Sequence, residues 1–443
     1  MIRTFLRALG LIYFIAFLSF GGQASGLIGA RGISPYREYL AGMRQALGRT
    51  AYWEIPSVLW LHPSDAALAV VWIGGALCAI VAVVGYHQRV ALAACLVLWL
   101  SLCAVGQDFL SYQWDVLLLE AGFLAIFVDD SPVRIWLFRW LIFRLVFFSG
   151  AGKLLSGDTA WRNLTALSYH HHTQPLPTPL AWYFDKLPLG AQKASTLFVF
   201  VAELGAPLLF FAPRRLRHIG AWITILLQVL ILATGNYTFF NILTIALCLF
   251  LFIEARRAPR PRLHLAVSAA LAGFIAVTTA LLVLDLFGLS LPPGGNFVLH
   301  AVAPLRIVNR YGLFTVMTVE RPEIVVEGSD DGETWRAYEF RYKPGDLLRA
   351  PPIVAPHQPR LDWQMWFAAL ENYQQNRWFV SFMLKLLQGE PVVLKLLQSN
   401  PFPKTPPRYI RARFYLYEFT AFGEKGWWKR QERGLYFPAA SLK

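Results

Sequence analysis

The sequence predicts a polytopic α-helical membrane protein of about nine spans carrying a C-terminal aqueous domain, α+β or β-sandwich-like. Of 443 residues, 56% are hydrophobic and only 15% charged, with a mean hydropathy of +0.44, which excludes a wholly soluble chain. The apolar residues are concentrated before residue 291, in long uninterrupted runs. After it, polarity is normal and short patterned segments alternate with turn signals. The expected division is therefore 1–290 in lipid and 291–443 in water.

A helix needs about 20 apolar residues to cross hydrocarbon, with latitude for tilt. On that basis the spans fall at 8–27, 66–85, 90–105, 113–127, 134–152, 196–212, 219–234, 239–253 and 263–286. The first resembles a signal peptide in having Arg3 and Arg7 before a short apolar run, but its Gly-Gly-Gln-Ala-Ser end is a poor cleavage site. With a cytoplasmic N-terminus, Arg3 and Arg7, Arg89, Arg134, the Arg214, Arg215 and Arg217 cluster, and Arg256, Arg257, Arg260 and Arg262 all fall on one side. The aqueous part then lies outside: beyond a bacterial inner membrane, or in the lumen if the membrane is that of the endoplasmic reticulum.

The net charge of +14 is spread almost evenly over the two parts, too diffuse to mark a nucleic-acid surface, and much of the excess is explained by membrane topology; membrane lipids are the partners the spans imply. Cys78, Cys95, Cys103 and Cys248 all lie in or beside the hydrophobic runs, so the aqueous part folds without disulfides, and no C-x-x-C pair supports redox chemistry.

Ionisable residues inside spans are costly unless paired. Glu120 in the fourth span and Arg144 in the fifth sit at similar depth, roughly 12 to 15 Å from opposite helix ends at about 1.5 Å per residue, and are expected to pair. Glu203 competes for Arg144. At the outer mouth, Gln113, Trp114 and Asp115 either anchor the fourth span at the interface or present polar groups to a ligand. The loop from Lys153 to Pro179 carries three consecutive histidines and prolines at 175, 177 and 179 that hold the chain extended. In an extended segment His170 and His172 share a side. Lys153 at the span's end either snorkels or, desolvated, serves as base or nucleophile. No H-E-x-x-H motif or Cys/His spacing supplies a metal site, and none of the nucleotide or lipase motifs is present, so neither metal nor cofactor is expected. Gly22 and Gly26 form a single small-residue pair, and Asn163 and Asn236 head formal glycosylation sequons.

In the aqueous part, segments 323–327 and 334–340 flank an Asp331-Gly332 turn and read as a hairpin. Trp363, Trp366, Phe367 and Leu370 recur at helical spacing, a second helix follows from Trp378 to Leu387 and a third short one over 391–398, and 408–420 reads as a strand.

Segments from both parts carry a resemblance: Gln113-Trp-Asp115, Ser168-Tyr-His-His-His-Thr-Gln-Pro-Leu-Pro177, Gly235-Asn-Tyr-Thr-Phe-Phe-Asn241, Val308-Asn-Arg-Tyr-Gly-Leu-Phe314, Arg321-Pro-Glu-Ile-Val-Val-Glu-Gly-Ser329, Pro356-His-Gln-Pro-Arg-Leu-Asp-Trp-Gln-Met-Trp366 and Asn400-Pro-Phe402. The chain resembles the lipase maturation factor family over nearly its whole length. That resemblance implies a membrane protein that helps exported clients such as lipases reach their active state, with the aqueous domain in contact with the client. Trp363, Trp366 and Phe367 are the client-binding candidates. A shorter stretch, Phe147-Phe-Ser-Gly-Ala-Gly-Lys-Leu-Leu155, is similar to part of the membrane module of vitamin K-dependent carboxylases, and this similarity implies a base role for Lys153. Two functions therefore stand side by side: a maturation factor without turnover, and a membrane enzyme with an outward-facing pocket using Lys153, His170 and His172 on a lipid-soluble or membrane-proximal substrate.

Overall fold

The computed structural model describes residues 1–442. Among these, seven helices are long and apolar enough to cross a membrane. They are α1 (Ile2–Leu27), α2 (Asp65–Val84), α3 (Gln88–Val105), α5 (Pro132–Leu155), α7 (Leu189–Phe200, continuing through a π turn to Phe211), α8 (Arg214–Thr234) and α10 (Arg262–Leu286). Two other segments expected as spans form shorter helices, α4 (Gln113–Phe127) and α9 (Phe240–Phe252), and a further short helix, α6 (Ala166–Thr173), follows α5. At about 1.5 Å per residue neither α4 nor α9 reaches across ~30 Å of hydrocarbon. Neither has to, because most of each helix is buried against protein.

One end of the bundle is held by arginines that cap helix C-termini. Arg89 and Arg134 donate to the carbonyls of Val128 and Phe127 at the end of α4, both at 2.7 Å. Arg139 donates to Phe250 and Ile253, and Arg217 to Leu251, around the end of α9. The last carbonyls of a helix lack partners within it, so guanidinium groups there satisfy both hydrogen bonding and the helix dipole. Arg256 and Arg260 meet Asp130 at the same end.

The aqueous domain sits at the other end. Strand β1 (Arg321–Ser329) pairs antiparallel with β5 (Tyr409–Phe419), and β2 (Arg336–Ala337) and β6 (Trp428–Ser441) complete a sheet of order β2-β1-β5-β6. A smaller ladder joins β3 (Glu339–Phe340) to β4 (Leu397–Ser399). Helices α11 (Arg360–Ala369), α12 (Arg377–Leu387) and α13 (Pro391–Leu394) complete the domain, giving the α+β form of the expected architecture. The turn at Asp331-Gly332 has Gly332 at φ +81°, where a side chain would strain the backbone.

The hydrophobic core is continuous across the two parts, running from Phe5 in α1 to Tyr436 in β6. Gly26, near the end of α1, touches the aqueous domain: a Cβ there would lie 2.5 Å from the Val392 carbonyl oxygen and 2.9 Å from the Leu396 side chain. Gly22 faces open space. The pair is therefore not one contact face, and only Gly26 permits close approach. Gly26→Val is expected to destabilise the protein by about 1–3 kcal/mol through overpacking, and Gly22→Val to change it by less than ~0.5 kcal/mol, as read by thermal unfolding in detergent.

Candidate functional site

Two polar constellations lie where the bundle meets the aqueous domain. The first begins with Asp115 in the opening turn of α4, fully buried. Arg360 at the start of α11 grips it in bidentate fashion, Nη1 to Oδ2 and Nη2 to Oδ1, both 2.9 Å, and also donates to the Phe109 carbonyl at 2.5 Å. Around this pair Trp114 donates to the Gln358 side chain at 2.8 Å, Gln358 N–H to Ser19 at 2.8 Å, and Arg360 N–H to the Gln23 side chain at 2.8 Å. Gln113 exchanges two hydrogen bonds with the backbone of Gly312.

A turn deeper, Glu120 pairs with Arg144 as their matched depth predicts. The other Glu120 oxygen accepts from Tyr311 Oη at 2.7 Å and from the backbone and side chain of Asn309 at 3.1 and 3.2 Å, while Arg144 donates to the Asn309 carbonyl at 3.0 Å. The segment after the last long helix therefore returns into the bundle to satisfy the ion pair. Arg321 of β1, also buried, donates to the carbonyls of His172, Gln174 and Pro175 and pairs with Glu323. That contact fixes the histidine loop against the sheet.

The second constellation surrounds a cavity of about 400 Å³ between α5, α7 and α8, roofed by α6 and by Leu313 and Phe314. Glu203 enters it from the π turn Val201–Gly205, a local widening that re-aims side chains. Gly150 lets the helices meet there, since a Cβ would come within 2.8 Å of Glu203 Cβ. Glu203 is partnered by Lys153 at 2.7 Å and not by Arg144, which Glu120 and Asn309 occupy. Lys153 Nζ also donates to the carbonyls of Leu313 at 3.0 Å and Ser149 at 3.3 Å. All three ammonium donors are engaged, so Lys153 anchors the turn and does not face the cavity as a free base.

The histidines depart from the extended geometry expected of them. Residues 170–172 lie in α6, where successive side chains diverge by about 100°. His170 and His171 line the cavity, whereas His172 turns away to Asp185 at 2.7 Å. The prolines that hold 175–179 extended do not constrain the helix before them. Burial, reinforced by neighbouring cationic groups, pushes His170 down to about 3, and burial pushes His171 down to about 4. His171 Nδ1 is buried with no hydrogen-bond partner among the described residues.

Trp363 and Trp366, client-contact candidates by sequence, are 2% and 6% exposed. Trp363 packs edge-on against Trp114, and Trp366 donates to the Thr173 carbonyl at 2.8 Å. They belong to the seam between domain and bundle; Phe367, 39% exposed, faces outward. Asn236 of the second sequon is buried too, donating to Pro352 and accepting from Val354 and Ala355, and so presents no surface for a glycan. Among the described residues no cluster of three potential ligands gathers to hold a metal.

These features define an integral membrane protein whose aqueous domain is fastened to its helix bundle by buried charge. The model of the lipase maturation factor transmembrane domain matches residues 2–257, and that of the lipase maturation factor C-terminal domain matches residues 307–438. The chain thus belongs to the lipase maturation factor family. It is 37% identical to human lipase maturation factor 2, over 99% of this chain and 82% of the relative, and 36% identical to bovine lipase maturation factor 1, over 98% and 88%. Mouse lipase maturation factor 1 is 34% identical over 99% of this chain and 86% of its own. No solved structure matches.

Breaking a buried pair strands a charge. Arg360→Met is expected to cost about 3–5 kcal/mol in detergent or nanodisc unfolding, and the double variant Asp115→Leu with Arg360→Met to recover much of it. His357, which pairs with Ser19 at 2.9 Å, is also pushed down to about 4 by burial. Because the folded forms of His170, His171 and His357 bind protons less readily than the unfolded chain, stability is fully present above about pH 6.5 and falls as pH drops toward 4, by up to about 1.4 kcal/mol per unit for each histidine. Denaturant midpoints measured across that window should show the decline, and His357→Gln should flatten it.

Proposed function

We propose that this protein is a membrane-anchored maturation factor for exported clients such as lipases, acting by binding and without turnover. The observation that carries the proposal is the family match over both parts of the chain, together with a junction that holds the aqueous domain in one pose on the bundle. The 1–290 part is the membrane anchor and the 291–443 part the client-facing one. Gathering of arginines at the opposite end of the bundle supports a cytoplasmic location for that end and hence an exported side, periplasmic or luminal, for the aqueous domain. Phe367, with Leu370 three residues on, forms the apolar surface that α11 leaves exposed, and is the proposed client contact, supported from beneath by Trp363 and Trp366.

The test is secretion of a lipase from cells lacking their own maturation factor, with the full chain supplied in trans. The expected result is a several-fold rise in activity per mass of secreted lipase, lost when Phe367 and Leu370 are both changed to Asp although the variant accumulates normally. Equal specific activity with and without the chain would exclude the maturation role.

A further inference from the structure

The cavity beside Lys153 lies apart from the Asp115–Arg360 junction, and its chemistry points to an occupant. Its walls are predominantly apolar, and its size falls within the range of small-molecule sites. It lies between helices that cross the membrane, and its one well-exposed lining residue, Ala194, is on α7, with the half-buried Ser195 and Phe198 beside it and the half-buried Leu230 and Ile231 across from it on α8; Leu189–Phe200 packs mainly on α6 and α8 mainly on α9, so the two helices barely touch each other there. The mouth therefore opens sideways, at the depth of the bilayer.

The polar groups at the inner end carry no unpaired charge. Lys153 and Glu203 neutralise each other, with every ammonium hydrogen committed. His170 shares a 3.3 Å contact with Tyr237, whose hydroxyl donates to Gln174. His171 remains, more than nine-tenths buried and lining the cavity: neither ring nitrogen meets a protein group among the described residues, and Nδ1 is sealed, which leaves Nε2 as the one a ligand can reach. An imidazole nitrogen facing a largely apolar cavity without a partner is costly, and a ligand oxygen at Nε2 would relieve that cost. An anionic headgroup would have to compete with Glu203 for Lys153 and approach its carboxylate, so the site selects against charge.

We propose that this cavity binds the hydrocarbon chain of an uncharged amphiphile entering laterally from the bilayer between α7 and α8, with a hydroxyl or ester oxygen of the head hydrogen-bonded to His171. Monoacylglycerol is the simplest compound of that class. Binding there does not require the maturation role and can be examined without a client.

The experiment uses the full chain in phosphatidylcholine nanodiscs and a monoacylglycerol probe with a diazirine in mid-chain. Photolabelling is expected on Phe198, Leu230 or Ile231, displaced by excess unlabelled monoacylglycerol but not by the same excess of palmitate. Ser195→Trp, which narrows the mouth, should remove most of the labelling, and His171→Phe should weaken monoacylglycerol competition about fivefold, the loss of one hydrogen bond, while leaving competition by hexadecane unchanged. Labelling scattered over the lipid-facing sides of α2 and α10, or palmitate competing as well as monoacylglycerol, would overturn the proposal. The competition result needs no substitution, so it decides the matter even if a variant fails to fold.

Discussion

Asp115 on a membrane helix and Arg360 at the head of an aqueous one both lie out of water, and each is tolerable there only because the other is present. Their bidentate geometry fixes orientation as well as distance. With that pair in place, α11 must lie across the mouth of α4, and Trp363 and Trp366 of the same helix are carried into the seam. Gln358 and His357, just upstream, then meet Ser19 and Gln23 of α1. Burying so much charge is a poor way to gain net stability compared with an apolar seam, but it permits few alternative poses. A domain that must present one face to a partner from a membrane anchor benefits from that restriction.

The same principle separates the two constellations. At the junction, charges are consumed in joining chain segments, and Glu120 gathers Arg144 from α5 and Asn309 and Tyr311 from the segment after α10. At the cavity, Lys153 and Glu203 consume each other, leaving neutral imidazoles and apolar walls. Lys153 spends its three donors on Ser149, Glu203 and Leu313.

How far the structure could be read in the sequence depended on the solvent around each residue. The spans were legible because lipid demands a long apolar run, and Glu120 and Arg144 because a charge inside such a run needs a neighbour at its own depth. Arg360 gave no such signal, since an arginine in a stretch of ordinary polarity reads as solvated; only its contact with Asp115, 245 positions away, shows otherwise. Asn309 and Tyr311 were missed for the same reason. His172 was placed beside His170 because the extended geometry of the prolines was carried too far upstream, into what is one short helix. Strand β6 lacks a recognisable alternation because most of residues 429–435 are solvent-exposed, and pairing with β5 alone defines it. The aromatic stripe of α11 was legible as a face, but not what covers it, because a core stripe and a contact surface have the same composition.

The central claim is that buried charge holds the aqueous domain in a single orientation on the bundle. The most direct measurement is pulsed electron-spin distance spectroscopy in nanodiscs, with labels at exposed positions on either side of the junction, Thr50 and Lys425, in a background lacking the four native cysteines. One narrow distance distribution is the predicted result. A broad or two-peaked distribution in the unmodified junction would contradict it.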